Sequence, residues 1–351
     1  MFIVHQLIAD LANQIREQER FTAVGISVGH GDTPVESAVS GVRRHKSLVP
    51  VECTDKWHIG SITKSITATV TGRLVDSGAL KFESAISDLL PDVSMHPSWA
   101  DCSLEHLLTH TSGLPANFPI KAQKIDPETP RELVLARRDL IQETLTKPPK
   151  TPSGSAFRYS NVGYAIIGHI LETQTNSSYE ELVRDQFFEP LGLDSAGFGP
   201  PQGHGPDDQP MGHYDIWWYR TPANPFKGRA DNGPVLSAAG RAHMNLHDLV
   251  TYGRKHLEGE LGLDHFLNTD TWQRLHKPIM NDYAYGWVNT VRDWAGGPVI
   301  WHNGSNTMWY ALLMLIPEKN AVFAFVTNNG AIRKAEKAFV QAAQQISSQL
   351  D

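Results

Sequence analysis

A serine and a lysine stand three residues apart in the segment HIGSITKSITATV, residues 58–70. In a helix this spacing puts both side chains on one face, about a turn apart, so Ser61 and Lys64 can meet. A serine hydroxyl becomes a nucleophile when a neighbouring base takes its proton. Lysine has an ordinary pKa of about 10.4, and burial lowers it by disfavouring the charged form. The pair is therefore a candidate nucleophile and base, although a capped helix start explains it equally well when it is taken alone.

A tyrosine and an asparagine form a second candidate group in FRYSNVGYAIIGHILE, residues 157–172. Tyr159 and Asn161 lie on a predicted loop that opens a helix, because apolar residues recur after them at helical spacing. A tyrosine close to a lysine can pass a proton to a leaving group, and the nearby cation favours the phenolate. The amide of Asn161 offers an acceptor for Lys64 and a donor for a substrate carbonyl. The chain contains one Tyr-x-Asn and one Ser-x-x-Lys, so this pairing is not chosen from many.

The segment VIWHNGSNTMWYALL, residues 299–313, supplies a third group. His302, Asn303 and Gly304 are predicted to lie along a strand that leads into a terminal hairpin. The backbone N–H groups of Ser305 and Ser61 would then form an oxyanion hole, which stabilises the charge of a tetrahedral intermediate. The chain contains a second His-x-Gly pattern, so only the position before the last hairpin selects this one.

The order of the three groups resembles that of the penicillin-recognising serine hydrolases, which include class C β-lactamases, serine D,D-peptidases and family VIII esterases. The resemblance implies that Ser61 is acylated, that Lys64 and Tyr159 act as a coupled acid/base pair, and that Asn161 orients them. It also implies that the strand at 302–305 binds the substrate. It extends from about residue 20 to about residue 340 and includes the stretches LEHLLTHTSGLP (104–115), YSNVGYAIIGHILE (159–172), FFEPLGLDSAGF (187–198) and PEKNAVFAFVTNNG (317–330).

The third group departs from the β-lactamase pattern, which usually has Lys-Thr-Gly at this place. His302 and Asn303 stand where that pattern has lysine and threonine. A neutral imidazole supplies no fixed charge at pH 7, and charge-assisted bonds to a carboxylate are the stronger ones. The departure favours a carboxylesterase that forms an acyl-enzyme on Ser61, with weak or no β-lactamase activity. The alternatives are a β-lactamase, a D-alanyl-D-alanine carboxypeptidase or D-aminopeptidase, and a catalytically idle penicillin-binding sensor or scaffold.

The helices and strands that would position these groups are predicted near the two ends of the chain. After an N-terminal helix come two strands, FTAVGISVGHG and VESAVSGVRR, and near the other end a hairpin of WYALLMLI and AVFAFVT precedes a helix at about 334–350. The sequence predicts a mixed α/β (α+β) fold, an antiparallel sheet flanked by the terminal helices with a mostly helical second lobe. The resemblance implies that this fold is β-lactamase/D,D-peptidase-like. We expect residues 1–78 and 200–351 to form the sheet domain and residues 79–199 the helical lobe.

Composition restricts the partners and the location. The 351-residue chain has a net charge of −7, so we expect no nucleic-acid partner. Its two cysteines, Cys53 and Cys102, form no disulfide framework. The N-terminus lacks a signal-peptide pattern and no apolar run reaches the length of a membrane span. We therefore expect a cytoplasmic enzyme, or a periplasmic or secreted one if a leader has been removed. Its expected partner is a small-molecule ester or amide substrate, with no cofactor and no metal.

Three other patterns have simpler explanations. GISVG at residues 25–29 matches a Gly-x-Ser-x-Gly elbow, but a turn and a strand follow it instead of a helix, so Ser27 is predicted to be an ordinary strand residue. His106 and His110 have a spacing that suits a metal, yet no third ligand stands out. The aromatic group DIWWYR at 215–220 is either part of the core or an edge of the pocket.

Overall fold

The structure is a computed structural model and describes residues 2–125, 127–216, 219–226 and 230–350. Trp217 and Trp218, in the middle of the DIWWYR group, lie outside the described residues. Among the residues that are described, no helix combines the length and the hydrophobicity needed to cross a membrane.

An antiparallel sheet of six strands lies at the centre of the described structure. The strands of the chain are β1 (Ala23–His30), β2 (Glu36–Gly41), β3 (Lys56–His58), β4 (Gly197–Phe198), β5 (Gly212–Ile216), β6 (Tyr219–Ala223), β7 (Ala242–Asn245), β8 (Val288–Arg292), β9 (Gly297–Ser305), β10 (Tyr310–Ile316) and β11 (Ala321–Thr327). The large sheet has the order β2-β1-β11-β10-β9-β8, so the two ends of the chain meet where β1 pairs with β11. A three-stranded sheet, β3-β7-β4, and the hairpin β5-β6 lie beside it.

Helices connect the strands and make up most of the middle of the chain. They are α1 (Phe2–Glu19), α2 (Thr63–Asp76), α3 (Ile86–Leu89), α4 (Leu104–Leu108), α5 (Pro130–Leu145), α6 (Asn161–Thr175), α7 (Tyr179–Val183), α8 (Ser237–Gly240), α9 (Leu246–Glu260), α10 (Thr269–His276) and α11 (Ile332–Ser347). α1 and α11 pack on one face of the large sheet, and α9 packs on the other. Because both faces are covered, β10 and β11 are buried along their whole length and read as continuous apolar runs.

α2 is the central helix, since it packs against α6, α8 and α10. It contains four threonines, which are mediocre helix formers, so its stability depends on tertiary contacts. All four are fully buried, and each hydroxyl donates to a backbone carbonyl three or four residues earlier, at 2.6 to 3.2 Å. Gly78 follows the helix with a φ of +77°, as expected of a glycine just beyond a helix end.

The expected fold class is confirmed: an antiparallel sheet, terminal helices on one of its faces and a largely helical middle. The predicted terminal hairpin and the strand before it are β10, β11 and β9. Ser27 lies in β1, and a second strand follows it, so the elbow interpretation is excluded. The division of the chain into residues 1–78 and 200–351 against 79–199 stays a prediction.

Candidate active site

Ser61 lies in a single 3-10 turn, Gly60–Ile62, which leads directly into α2. The turn is held from both sides. The hydroxyl of Thr63 donates to the carbonyl of Gly60 at 2.6 Å and accepts the N–H of Ala242 at 3.0 Å. Gly60 has a φ of +52°, which a glycine adopts without steric cost. The nucleophile of the sequence analysis therefore projects from a fixed turn at the start of a buried helix.

Lys64 is completely buried, and its amine contacts three oxygen atoms. Nζ lies 3.1 Å from Oγ of Ser61, 2.7 Å from Oδ1 of Asn161 and 2.6 Å from the carbonyl of Ala239. Burial lowers the pKa of Lys64 well below its ordinary value. A neutral amine has two N–H groups and one lone pair. In that neutral form the amide and carbonyl oxygens, which can only accept, would take the two N–H groups, and the lone pair would be left for the Ser61 proton.

Asn161 is the first residue of α6, and its backbone and side chain are both anchored. Ser160 caps the helix by accepting the N–H of Gly163 at 3.0 Å. The Asn161 side chain accepts from Lys64 through Oδ1 and donates from Nδ2 to Oδ1 of Asn117 at 2.7 Å. Asn117 thus fixes which end of the Asn161 amide faces the lysine.

Tyr159 precedes the cap of α6 and reaches the same hydroxyl from the other side. Its side chain approaches that of Ser61, and its ring centroid lies 4.8 Å from Nζ of Lys64. Burial raises the pKa of Tyr159 above its ordinary value, against a smaller lowering by the Ser61 contact. The sequence analysis expected the lysine cation to favour a phenolate, and this expectation is wrong. Removal from water disfavours both charged forms, so it raises the pKa of the phenol and lowers the pKa of the amine.

His110 supports Tyr159 from behind. Its ring centroid lies 4.2 Å from that of Tyr159, and its Nδ1 accepts the backbone N–H of Ser160 at 3.1 Å. Burial lowers the pKa of His110 well below its ordinary value, and the nearby Lys64 lowers it further. The imidazole is therefore neutral, with Nδ1 as the acceptor. Its partner in the i, i+4 pair, His106, caps the start of α4 instead. Within the described part of the chain, no cluster of three or more potential metal ligands was found.

The end of β9 lies against the nucleophile turn. β8 pairs with β9 only at residues 297–301, so the backbone of residues 302–305 extends beyond β8 and meets the turn of Ser61. A Cβ on Gly304 would lie 2.5 Å from N of Ser61, and one on Gly60 would lie 2.3 Å from N of Ser305. Glycine is required at both positions because the two backbones touch. The backbone nitrogens of Ser61 and Ser305 both lie at this contact.

His302 and Asn303 point to opposite faces of β9, as neighbouring strand residues do. His302 is buried on the face of the site, where its Nε2 lies 3.2 Å from the hydroxyl of Tyr283. Burial and the charge of Lys64 lower the pKa of His302 to about 3, so it is a neutral imidazole. The Asn303 amide lies on the other face and donates to the hydroxyl of Tyr310 at 3.3 Å. The substrate-binding roles of both side chains stay predictions.

A cleft with a volume of about 520 Å³ opens above Ser61. It contains no Asp, Glu, Lys or Arg among its described lining residues. Its floor combines amide, hydroxyl and apolar groups, and the residues that line it are Ser61, Asn117, Phe118, Ile120, Asn161, Asn232, Leu236, Ala239, Gly240, Ser305, Asn306 and Thr307. Neither His302 nor Asn303 is among them. An uncharged cleft of this size suits a small neutral substrate.

Three partners of the site were not found by sequence reasoning. Asn117 and the carbonyl of Ala239 bind groups that the sequence analysis identified, but an isolated asparagine and a backbone oxygen carry no sequence signal. His110 lies in the HTSGLP stretch, which was recognised as a resemblance without a role for the histidine. The predicted residues Ser61, Lys64, Tyr159 and Asn161 are brought together as expected, and the backbones of 304 and 305 join them.

Comparisons with known proteins identify a family and a fold. A family model described as Beta-lactamase matches residues 8–345. Penicillin-binding protein 4 of Amycolatopsis lactamdurans is 27% identical over 329 residues, which are 85% of this chain and 79% of that protein. Several other curated relatives are longer, and the chain spans about half of their length.

Two solved structures share the fold along nearly the whole chain. One is a D-amino acid amidase from Ochrobactrum anthropi SV3 complexed with L-phenylalanine amide, with a TM-score of 0.78, 18% identity and coverage of 98% of this chain and 97% of that one. The other is a beta-lactamase/D-alanine carboxypeptidase from Pseudomonas syringae, with a TM-score of 0.78, 17% identity and 99% of each chain covered. At these identities the two structures establish the fold alone.

Proposed function

The chain belongs to the beta-lactamase family of serine hydrolases, and within that family we propose that it is a carboxylesterase that forms an acyl-enzyme on Ser61. One observation carries the proposal: the hydroxyl of Ser61 lies 3.1 Å from the buried amine of Lys64, and the ring of Tyr159 lies over the same amine, with its centroid 4.8 Å from Nζ. An acyl transfer needs a nucleophile, a base for its proton and an acid for the leaving group. These three side chains supply one of each.

In the acylation step the neutral amine of Lys64 takes the proton of Ser61 while Oγ attacks the carbonyl carbon of the ester. The carbonyl oxygen becomes an oxyanion, which the N–H groups of Ser61 and Ser305 stabilise. The bond between the carbonyl carbon and the alcohol oxygen then breaks. Tyr159 gives its proton to the departing alkoxide and is reprotonated from the Lys64 ammonium. The step releases an alcohol and leaves an ester on Ser61 with the amine neutral again.

Deacylation repeats this chemistry with water as the nucleophile. Lys64 removes a proton from the water as it attacks the ester on Ser61, and the same two N–H groups stabilise the oxyanion. The bond to Oγ breaks, Oγ takes the proton back, and a carboxylic acid leaves. The Lys64 amine keeps its alignment in both steps because the Asn161 amide and the Ala239 carbonyl hold its two other positions.

Preference for an ester over a penicillin rests on charge. A β-lactam antibiotic presents a carboxylate, and charge-assisted hydrogen bonds are the stronger way to bind one. The described lining of the cleft offers no cation, and His302, which stands where β-lactamases have lysine, is buried and neutral. Neutral esters avoid the cost of placing an unpaired charge in the cleft.

Hydrolysis of p-nitrophenyl butyrate by the purified chain tests the proposal. We expect steady turnover, its loss in Ser61→Ala, and its retention in Ser77→Ala, which changes an exposed serine at the other end of α2. A fluorophosphonate probe should add its mass to the wild-type protein and not to Ser61→Ala. Full turnover by Ser61→Ala would refute the assignment of the nucleophile.

The alternatives differ in what the same enzyme does with other acyl donors. Nitrocefin, a D-alanyl-D-alanine peptide and a D-amino acid amide represent the β-lactamase, carboxypeptidase and aminopeptidase alternatives. We expect each to react more slowly than the butyrate ester. Faster, saturable hydrolysis of any one of them would replace the esterase with that activity. An acyl-enzyme that forms and persists without turnover would identify a penicillin-binding sensor or scaffold.

A cytoplasmic location is a separate proposal that rests on the sequence. It is tested by measuring the fluorophosphonate-labelled protein in cytoplasmic and periplasmic fractions of cells that produce it. Labelled protein in the periplasmic or secreted fraction would contradict it.

A further inference from the structure

A buried histidine next to the nucleophile turn has no part in the reaction described above. His58, the last residue of β3, is completely buried, and its Nδ1 accepts the backbone N–H of Gly60 at 3.1 Å. An imidazole nitrogen that accepts carries no proton, so in the neutral ring the proton is on Nε2. This atom lies 2.9 Å from Oδ1 of Asp231, an ion-pair distance at which the two groups are not aligned for a hydrogen bond. The ring therefore connects the backbone of the turn to a carboxylate.

Asp231 is itself buried and joins three further groups. Its Oδ2 lies 3.1 Å from Nε of Arg241, and its Oδ1 accepts from the backbone of Asn232 at 2.7 Å and from the amide of Asn306 at 3.0 Å. Burial alone would raise the pKa of this carboxyl, but His58, Arg241 and Asn306 outweigh it and hold the pKa below its ordinary value. A buried carboxylate with this many partners is rigid, because each lost contact exposes an unpaired charge.

Asn306 links Asp231 to the Ser305 side of the proposed oxyanion hole. It directly follows Ser305, and its Oδ1 accepts the N–H groups of Met308 and Trp309 at 3.2 and 3.3 Å. The Trp309 ring in turn stacks on His58, with centroids 5.5 Å apart. The turn that begins at Ser305 is thus closed by the same network that holds Gly60.

We infer that His58 and Asp231 are positioning residues that hold the N–H groups of Ser61 and Ser305 at a fixed separation. Gly60 can rotate more freely than any other residue, and its two torsions set the direction of the Ser61 N–H. The bond from its own N–H to His58 removes one of these rotations. Asp231 and Asn306 fix the Ser305 side relative to the same ring. This inference rests on the proposed acyl-enzyme reaction, since an oxyanion hole matters only if a tetrahedral intermediate forms.

Two substitutions at His58 separate its two contacts. The amide of glutamine reaches the position of Nε2, so His58→Gln keeps a partner for Asp231 and loses the acceptor for Gly60. The amide of asparagine reaches the position of Nδ1, so His58→Asn offers an oxygen to Gly60. Loss of one oxyanion-hole donor costs about 10²–10³ in kcat, and a misdirected donor should cost part of this. We expect kcat to fall about 10- to 100-fold in His58→Gln, with KM within about threefold of the wild-type value. The variant His58→Asn should keep most of the wild-type kcat.

A thionoester distinguishes positioning from general damage. Sulfur accepts hydrogen bonds more weakly than oxygen, so an intact oxyanion hole favours the p-nitrophenyl ester over the thionoester of the same acid. The ester-to-thionoester ratio of kcat/KM should fall about tenfold in His58→Gln and in Asp231→Asn. The matched control is His243→Gln, because His243 lies opposite His58 in the β3-β7 pair and binds the carbonyl of Gly199 instead. Its ratio should equal that of the wild type.

The outcomes are distinct. If His58→Gln does not fold, judged by its thermal unfolding, Asp231→Asn gives the test, because asparagine has nearly the shape of the residue it replaces. If variants at both positions fold and keep the wild-type ester-to-thionoester ratio, the inference is overturned. In that case ester turnover by the wild type still supports the proposed function. Absence of turnover in the wild type, or turnover in Ser61→Ala, would overturn the proposed function and with it this inference.

Discussion

Replacing Lys64 with methionine should change stability in a manner that depends on pH. Methionine has a similar length and no charge. In the unfolded chain Lys64 titrates with an ordinary pKa of about 10.4, whereas burial lowers its pKa in the folded protein. Between these two values the unfolded state binds more protons. Wild-type stability therefore rises with pH in this window and falls as pH drops towards the folded pKa. Each pH unit within the window is worth about 1.4 kcal/mol.

The substitution also removes the hydrogen bonds to Asn161 and Ala239, which costs about 1–3 kcal/mol for each acceptor left unpaired. That cost does not depend on pH. The free energy of unfolding of Lys64→Met minus that of the wild type should therefore decrease as pH rises, by about 1.4 kcal/mol per unit above the folded pKa.

Urea unfolding of both proteins from about pH 7 to about pH 9 measures this difference. Lys81→Met replaces an exposed lysine beyond α2 and serves as the control for the general effect of exchanging a lysine for a methionine. The ester assay in the same samples should show kcat lowered about 10²- to 10⁴-fold in Lys64→Met, the usual contribution of a general base. A difference in unfolding free energy that stays constant across the pH range would refute the argument, because Lys64 would then be equally charged in both states.

Tyr159→Phe should lower kcat about 10²- to 10⁴-fold, and more for ethyl butyrate than for p-nitrophenyl butyrate, because ethoxide needs the phenol proton and p-nitrophenolate does not. Equal losses on the two esters would contradict the role of Tyr159 as the acid. Glu172→Gln should destabilise the protein by about 3 kcal/mol in urea unfolding, since it leaves the buried Arg137 with one carboxylate partner instead of two. The exposed ion-pair residue Glu143 gives the matched control: Glu143→Gln should leave the free energy of unfolding close to that of the wild type, and a similar loss in both variants would contradict the argument.

Local pattern was sufficient to predict most of the secondary structure near the site. Hydrophobic runs around a polar turn identified the hairpin of β10 and β11, and the spacing of Ser61, Lys64, Tyr159 and Asn161 identified the residues that meet. Within each pair, Ser61 with Lys64 and Tyr159 with Asn161, the residues are two or three positions apart, so each pair can be recognised without knowledge of the fold. The division into two domains and the substrate preference were predicted as well, and both stay predictions.

Protonation states and second partners could not be read from the sequence. The phenolate expected for Tyr159 was wrong because the sequence shows a neighbouring lysine but not the desolvation that raises the pKa of the phenol. His302 was identified by its position in a pattern, yet its side chain is buried with Nε2 3.2 Å from the hydroxyl of Tyr283, and it is not among the described residues that line the cleft. Such features depend on contacts between residues far apart in the chain. Burial alone can change the direction in which the pKa of a side chain is shifted.

By itself, the order of residues along the chain determined the resemblance to a family and the class of fold, and it predicted the nucleophile, base and acid of the proposed reaction. Tertiary structure alone decided which oxygens hold the Lys64 amine and that His58 and Asp231 connect the turn of Ser61 to that of Ser305. The physical reason is the distance along the chain over which each kind of interaction acts. Periodicity and turn chemistry act between near neighbours, whereas desolvation and buried hydrogen bonds depend on what the whole fold packs around a group.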